Sequence, residues 1–144
     1  MKTTGDIVVI EDDPDDYEIL LGIFEEVMKE KNYDNRVIVF EDSVMALEYL
    51  QDCTSEVFMI ISDINMPLLD GLELYQTVSA NPKFMHKGIP YVFLTTGAAH
   101  KEHVYKARDL SVHGFFEKPS SLREYKSLIS DIMGYWQKTL VPFA

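Results

Sequence analysis

Asp63 ends an apolar run, Phe58-Met59-Ile60-Ile61-Ser62, and Ile64-Asn65-Met66-Pro67 follows it. A carboxylate there is costly unless it is paired, and the nearby proline forbids the run from simply continuing. Three other apolar runs also exit into groups that can do chemistry. The first exits into Glu11-Asp12-Asp13-Pro14-Asp15-Asp16, five acids in six positions. A later one exits into Thr95-Thr96-Gly97, and the last into Glu117-Lys118-Pro119. If these exits meet, Glu11, Asp12 and Asp63 repel one another and stay ionised only around a cation. Oxygen-only ligands select a hard cation, and a few carboxylates with water and phosphate suit magnesium. With Thr95 and Lys118 beside them, the set suits phosphoryl transfer. Asp63 would take the phosphoryl group covalently, while the cation and Lys118 neutralise its oxygens.

Other ions fit less well. No EF-hand spacing is present for calcium, and the four histidines, His86, His100, His103 and His113, show no zinc-ligand spacing with cysteine. His100 and His103 read as part of an exposed helix face. Each piece of the acid set also has a plainer reading by itself. Acids at a helix start are favoured by its dipole. Asp63 could be a turn residue, Thr95 a strand end, and Lys118-Pro119 a turn. Their occurrence at successive exits makes the joint reading the stronger one.

The elements that must position these residues follow from periodicity. Ile7–Ile10, Val37–Phe40, Val57–Ile61, Tyr91–Leu94 and Val112–Phe116 are rich in β-branched and aromatic residues and mostly do not alternate. That is the pattern of strands buried on both faces. Between them run helical patterns, with Tyr17, Leu20, Leu21, Phe24, Val27 and Met28 on one face. Leu122, Tyr125, Leu128, Ile129, Ile132, Met133 and Trp136 form another such face near the end. Asp13-Pro14 supplies an N-cap and a proline at the first helical position, Ser121 with Glu124 has capping-box spacing, and Asn81-Pro82 closes a helix that begins near Gly71. Strand and helix alternating five times predict an α/β doubly wound parallel sheet with helices on both faces. In the common order 2-1-3-4-5 the first and third strands are neighbours, which brings Glu11, Asp12 and Asp63 together.

Composition bounds the rest. The 144 residues read as one domain with a short tail over 139–144. A net charge of -11 argues against direct DNA binding and against an anionic membrane surface. No apolar run reaches spanning length, and the N-terminus lacks the apolar core of a signal peptide. One cysteine, Cys53, excludes an internal disulfide and reads as a packing residue. A reducing, cytoplasmic setting is expected.

Over nearly its whole length the chain resembles a receiver domain of the bacterial two-component response regulators. The resemblance lies in Val8-Val9-Ile10-Glu11-Asp12-Asp13-Pro14, Ile61-Ser62-Asp63-Ile64-Asn65-Met66-Pro67 with Asp70-Gly71, Phe93-Leu94-Thr95, and Phe116-Glu117-Lys118-Pro119. It implies a flavodoxin-like (βα)5 fold and a phosphoryl group received from a histidine kinase or a histidine phosphotransfer protein. By this resemblance Asp63 is the phospho-acceptor, and Glu11 and Asp12 hold magnesium, directly or through water. Asn65 offers a backbone carbonyl to the metal, and its side chain helps set the phosphoryl lifetime. Thr95 is the switch hydroxyl, and Lys118 pairs with the phosphoryl group through a cis Lys118–Pro119 bond. Phe115 occupies the aromatic switch position, although core packing explains it equally well. Long connections at Lys29–Arg36 and Asn81–Gly88 resemble stand-alone receivers whose partners include phytochrome-type kinases.

The expected output is a changed contact with a downstream protein, and the resemblance allows a homodimer through the last helix and strand. The apolar surface of Tyr135, Trp136 and the tail Leu140-Val141-Pro142-Phe143 would serve that contact or pack on the protein's own core. The alternative activity is a magnesium-dependent phosphohydrolase working through an aspartyl-phosphate. Such enzymes commonly carry an acid two residues after the nucleophile, and Asn65 cannot supply that proton chemistry. A nucleotide or flavin module is set aside, since no phosphate-cradling glycine loop is present.

Overall fold

Burial on both faces explains the unbroken apolar runs. In the computed structural model, which describes residues 4–52, 56–82, 88–95 and 101–139, β1 (Asp6–Ile10), β3 (Val57–Ser62) and β4 (Tyr91–Thr95) are buried along their whole length. The edge strands β2 (Val37–Phe40) and β5 (Gly114–Glu117) are mostly half-buried. All pairings are parallel, in the order β2-β1-β3-β4-β5. The expected doubly wound order is therefore observed.

The helices are α1 (Pro14–Lys31), α2 (Ser43–Asp52), α3 (Gly71–Ser79), α4 (Lys101–Asp109) and α5 (Leu122–Lys138). Because strand side chains alternate between faces, Ile7, Val9, Met59 and Ile61 meet Leu20, Phe24, Val27, Ile129 and Met133 of α1 and α5. Val8, Ile10, Ile60 and Phe93 meet Ala46, Leu50, Leu72, Leu74, Val78 and Ala107 of α2, α3 and α4.

Local chemistry sets the boundaries. Asp13 caps α1 by accepting the Asp15 amide proton at 3.0 Å, with Pro14 just inside the helix. Ser121 Oγ accepts from the Glu124 amide at 3.1 Å and starts α5. The α3 start carries a full capping box, Asp70 with Glu73, that the sequence reading did not single out.

Four expectations shift. The fifth strand starts at Gly114 rather than Val112, because Ser111 turns left-handed (φ 59°) and the Val112 amide still bonds back to Ala107. Lys29–Lys31 belong to α1, which ends where Asn32 adopts φ 60°, so the connection to β2 is shorter than expected. Leu122 has helical spacing but is 67% exposed, being the first residue of α5 before that helix reaches the sheet, whereas Ile23 joins the buried face of α1. The Lys118–Pro119 bond is trans, the isomer that X–Pro bonds favour by about 0.5–1 kcal/mol.

Cys53, His86, His100, Thr96-Gly97, the middle of the Asn81–Gly88 connection, the side chain of His103 and the tail beyond Thr139 lie outside the described residues. No described helix is long and apolar enough to cross a membrane.

Candidate functional site

Three residues of the acid set are held as extra rungs of the parallel ladder. The Glu11 amide donates to Phe40 of β2 at 3.0 Å, the Asp63 amide to Ile10 of β1 at 3.0 Å, and the Lys118 amide to Thr95 of β4 at 2.7 Å. β1, β3 and β5 therefore each deliver the residue just past their end to the carboxyl edge through a neighbour's carbonyl, and the side chains inherit the rigidity of the sheet. The loop after β3 is pinned as well. Ser62 Oγ donates to the Asp63 carbonyl at 2.8 Å, and the Gly71 amide donates to Ile64 at 2.8 Å.

These anchors bring the expected residues together. Carboxylate oxygens of Glu11, Asp12 and Asp63 lie within 4.8 Å of one another. Glu11 and Asp63 are buried, and Asp12 is half-exposed. Lys118 Nζ lies 3.2 Å from Glu11 Oε1, 3.2 Å from Asp16 Oδ2 and 3.5 Å from Asp63 Oδ2. Asp63 Oδ1 is engaged differently, accepting the Ile64 amide proton at 2.6 Å. The two oxygens of Asp63 are thus distinguished: one is tied to the backbone, and the other faces the ammonium.

Electrostatics follow from burial. Loss of solvent pushes the Glu11 carboxyl up to about 9, and the adjacent Asp63 adds to this more than Lys118 relieves it. Burial opposes the Lys118 charge, but Asp63, Glu11 and Asp16 outweigh it and hold the ammonium above its ordinary value. Glu11 Oε2 is buried with no hydrogen-bond partner. A close group of three carboxyl side chains, two of them buried and one with an unserved oxygen, is a donor set that a hard divalent cation fits.

Thr95 and Phe115 complete the expected set. Thr95 is buried at the end of β4, opposite Glu117 in register, and its Oγ1 has no partner among the described residues. Phe115 pairs with Phe93 across β4 and β5, their rings 6.0 Å apart, and it is half-buried against the α2–α4 side of the core. Asn65 is exposed in the loop after β3.

Two residues were not singled out for the site. Asp16, in the first turn of α1, reaches Lys118; in sequence it reads only as one more acid favoured by the helix dipole. Tyr125 of α5 reads as one member of an amphipathic face. Yet it borders the acid group, its hydroxyl is buried without a partner, and burial pushes its phenol up to about 12 against the pull of Lys118.

Known proteins share this fold. The chain is 27% identical over 139 residues to response regulator Rcp1 of Synechocystis sp., covering 93% of this chain and 90% of that protein. The crystal structure of the Mn2+-bound form of Rcp1 superposes with a TM-score of 0.80 at 26% identity, covering 97% of this chain and 99% of that one. The phosphorylated cyanobacterial phytochrome response regulator RcpA shares the fold, with a TM-score of 0.81 at 22% identity over 95% of this chain and 96% of that chain. Residues 7–130 match the response regulator receiver domain family. The chain, whose sheet edge presents Glu11, Asp63 and Lys118 together, thus belongs to the response regulator receiver domain family.

Proposed function

We propose that Asp63 accepts a phosphoryl group, in the presence of Mg2+, from a histidine kinase or a histidine phosphotransfer protein, and that the modified chain changes its contacts with a downstream protein. The observation that carries this reading is the placement of Asp63 Oδ2, buried, 3.5 Å from Lys118 Nζ and beside Glu11 and Asp12. Asp63 Oδ2 is the attacking atom. A P–O bond forms to it as the donor's P–N bond breaks, and the imidazole leaves. Oδ1 stays on the Ile64 amide and keeps the carboxylate from rotating. Glu11, Asp12, Asp63 and the Asn65 backbone carbonyl would hold the cation, which would supply charge neutralisation to the transferring group. Lys118 neutralises the same oxygens from the other side.

The switch is the Thr95 hydroxyl. Its Oγ1 is buried and unsatisfied, so a phosphoryl oxygen on Asp63 offers it a hydrogen bond that the resting state withholds. A ligand shifts an equilibrium only through such a difference between states. Movement of Thr95 toward Asp63 frees space beside β5, where Phe115 sits half-buried and can turn inward. The chain spans 90% of the length of the response regulator Rcp1.

The test is intact-mass measurement after incubation with Mg2+ and acetyl phosphate. Wild type should gain one phosphoryl group in a metal-dependent manner, and Asp63→Asn should gain none. Multiple-turnover hydrolysis of phosphomonoesters, or no adduct with any donor, would sink the reading.

A further inference from the structure

Beneath the acid group lies a small cavity of about 10 Å3, bordered by Glu11, Asp16, Asp63, Lys118 and Tyr125 with an apolar wall that includes Leu20 and Leu94. Roughly 10–15 Å3 is the least that holds one water molecule, and a buried water needs two to four polar partners. Two candidates have no partner among the described residues. Glu11 Oε2 and the Tyr125 hydroxyl are both buried, both unpaired, and both belong to residues lining this cavity. An ionised carboxylate has about four lone-pair sites. Lys118 serves one on Glu11 and a bound cation would serve another, so acceptor capacity remains on a group that solvent does not reach.

The hydroxyl itself needs explanation. Apolar side chains make up half of the cavity wall, and a phenylalanine would fill the same space against them. Burying a phenol oxygen without a partner is unfavourable. Tyr125 is also well anchored, because its amide donates to Ser121 at 3.0 Å in the first turn of α5, a few residues after Lys118.

We propose that Tyr125 is a positioning residue for the acid site. Its hydroxyl donates to one water molecule in the cavity, and that water donates to Glu11 Oε2, fixing the carboxylate from the side remote from solvent. Partners of this kind orient metal-binding carboxylates without touching the metal. The inference rests on the reading of Glu11 as a cation ligand.

Tyr125→Phe removes the hydroxyl and keeps the ring. Free Mn2+ followed by electron paramagnetic resonance should show the affinity of Tyr125→Phe reduced about tenfold from wild type. A role in packing alone would instead leave the affinity unchanged and move only the thermal midpoint of the metal-free protein, which overturns the proposal. A high-resolution crystal structure of metal-free wild type should place one water within hydrogen-bond distance of both the Tyr125 hydroxyl and Glu11 Oε2. A dry cavity, or a tyrosine hydroxyl bonded directly to another group, also overturns it. Wild type that takes up no Mn2+ fails the cation reading itself, and the water position then decides the Tyr125 contact independently.

Discussion

Gly71 sits so close to Asp63 that a methyl group on its α-carbon would overlap the Asp63 carbonyl oxygen and stand 2.9 Å from both Ile64 Cα and the Phe93 ring. The first residue of α3 thereby clamps the backbone that carries Asp63. Two of those three contacts are main chain, which cannot swing aside as a flexible side chain would.

Gly71→Ala should therefore both destabilise the fold and misplace Asp63. Overpacking of this kind costs about 1–3 kcal/mol. The expected result is a lower urea midpoint with an unchanged m-value, together with slower labelling by acetyl phosphate. A variant with wild-type stability would mean that the β3–α3 loop yields freely, and that the Gly71 amide bond to Ile64 does not hold it.

Thr95→Val tests the switch from the opposite direction. Valine keeps the branched shape and removes an oxygen that is buried with no partner. A buried unsatisfied hydroxyl costs about 1–3 kcal/mol, so the unphosphorylated variant should be as stable as wild type or more so, by up to roughly 1 kcal/mol. Phosphorylation should then fail to alter the environment of Phe115, read by 19F NMR of fluorophenylalanine-labelled protein. Loss of stability in Thr95→Val would reveal a resting partner for Oγ1 and remove the reason for it to move.

Most of this site was legible because it lies where a simple rule applies. Apolar strands of a parallel sheet end at one edge, so residues just past Ile10, Ser62, Leu94 and Phe116 had to be neighbours once the strand order was granted. What was hidden lies on the helices. Asp16 and Tyr125 reach the site from α1 and α5, and nothing in their periodicity distinguishes a side chain aimed at a pocket from one aimed at solvent or core. Phe115 shows the same limit on a strand, since an edge aromatic with the spacing of core is only half-buried. Leu68 was illegible for another reason. It adopts φ 71° while 81% exposed, a conformation that glycine or asparagine would have announced and leucine conceals. On α5, Trp136 packs edge-on to His113 with ring centres 5.6 Å apart, whereas Tyr135 stays 65% exposed, so only the first of these two neighbours packs on the protein's own core.

His113 carries the acid sensitivity of the opposite end of the sheet. Its Nδ1 accepts the Tyr91 amide proton at 3.0 Å, and, although the residue as a whole is exposed, loss of solvent around the ring lowers its pKa below the ordinary histidine value. In the unfolded chain the imidazole protonates near pH 6.5, whereas the folded state resists until a lower pH. The unfolded state therefore binds more protons in that interval, and stability falls as the pH drops below about 6.5 until the folded pKa is passed. Above that interval His113 contributes no slope. Urea midpoints from pH 7.5 down to about 5 should show the decline, and His113→Phe should flatten this component. An unchanged slope in the variant would assign the acid sensitivity to other groups.

Lys118 has resting partners on three elements, β1, α1 and the exit of β3, all before any phosphoryl group arrives. Its side chain is 10% exposed, and those of Glu11 and Asp63 are 5% and 9% exposed, so solvent screens little of this interaction. Removing one partner from a buried charge set costs about 3–5 kcal/mol, because the remaining charges are left uncompensated. Asp16, at 32% side-chain exposure, can turn to water, and Glu11, pushed up to about 9, can hold a proton; both reduce that figure, so Lys118→Met should lose at most about 3 kcal/mol in metal-free buffer. A divalent cation among Glu11, Asp12 and Asp63 replaces part of the missing positive charge and stabilises the folded state by mass action. Saturating Mg2+ should therefore raise the urea midpoint of Lys118→Met by more than it raises that of wild type. Equal rescue of the two proteins would mean that Lys118 and the cation answer different carboxylates. A variant as stable as wild type without metal would show that the resting ion pairs contribute nothing, leaving Lys118 a role only after Asp63 is modified.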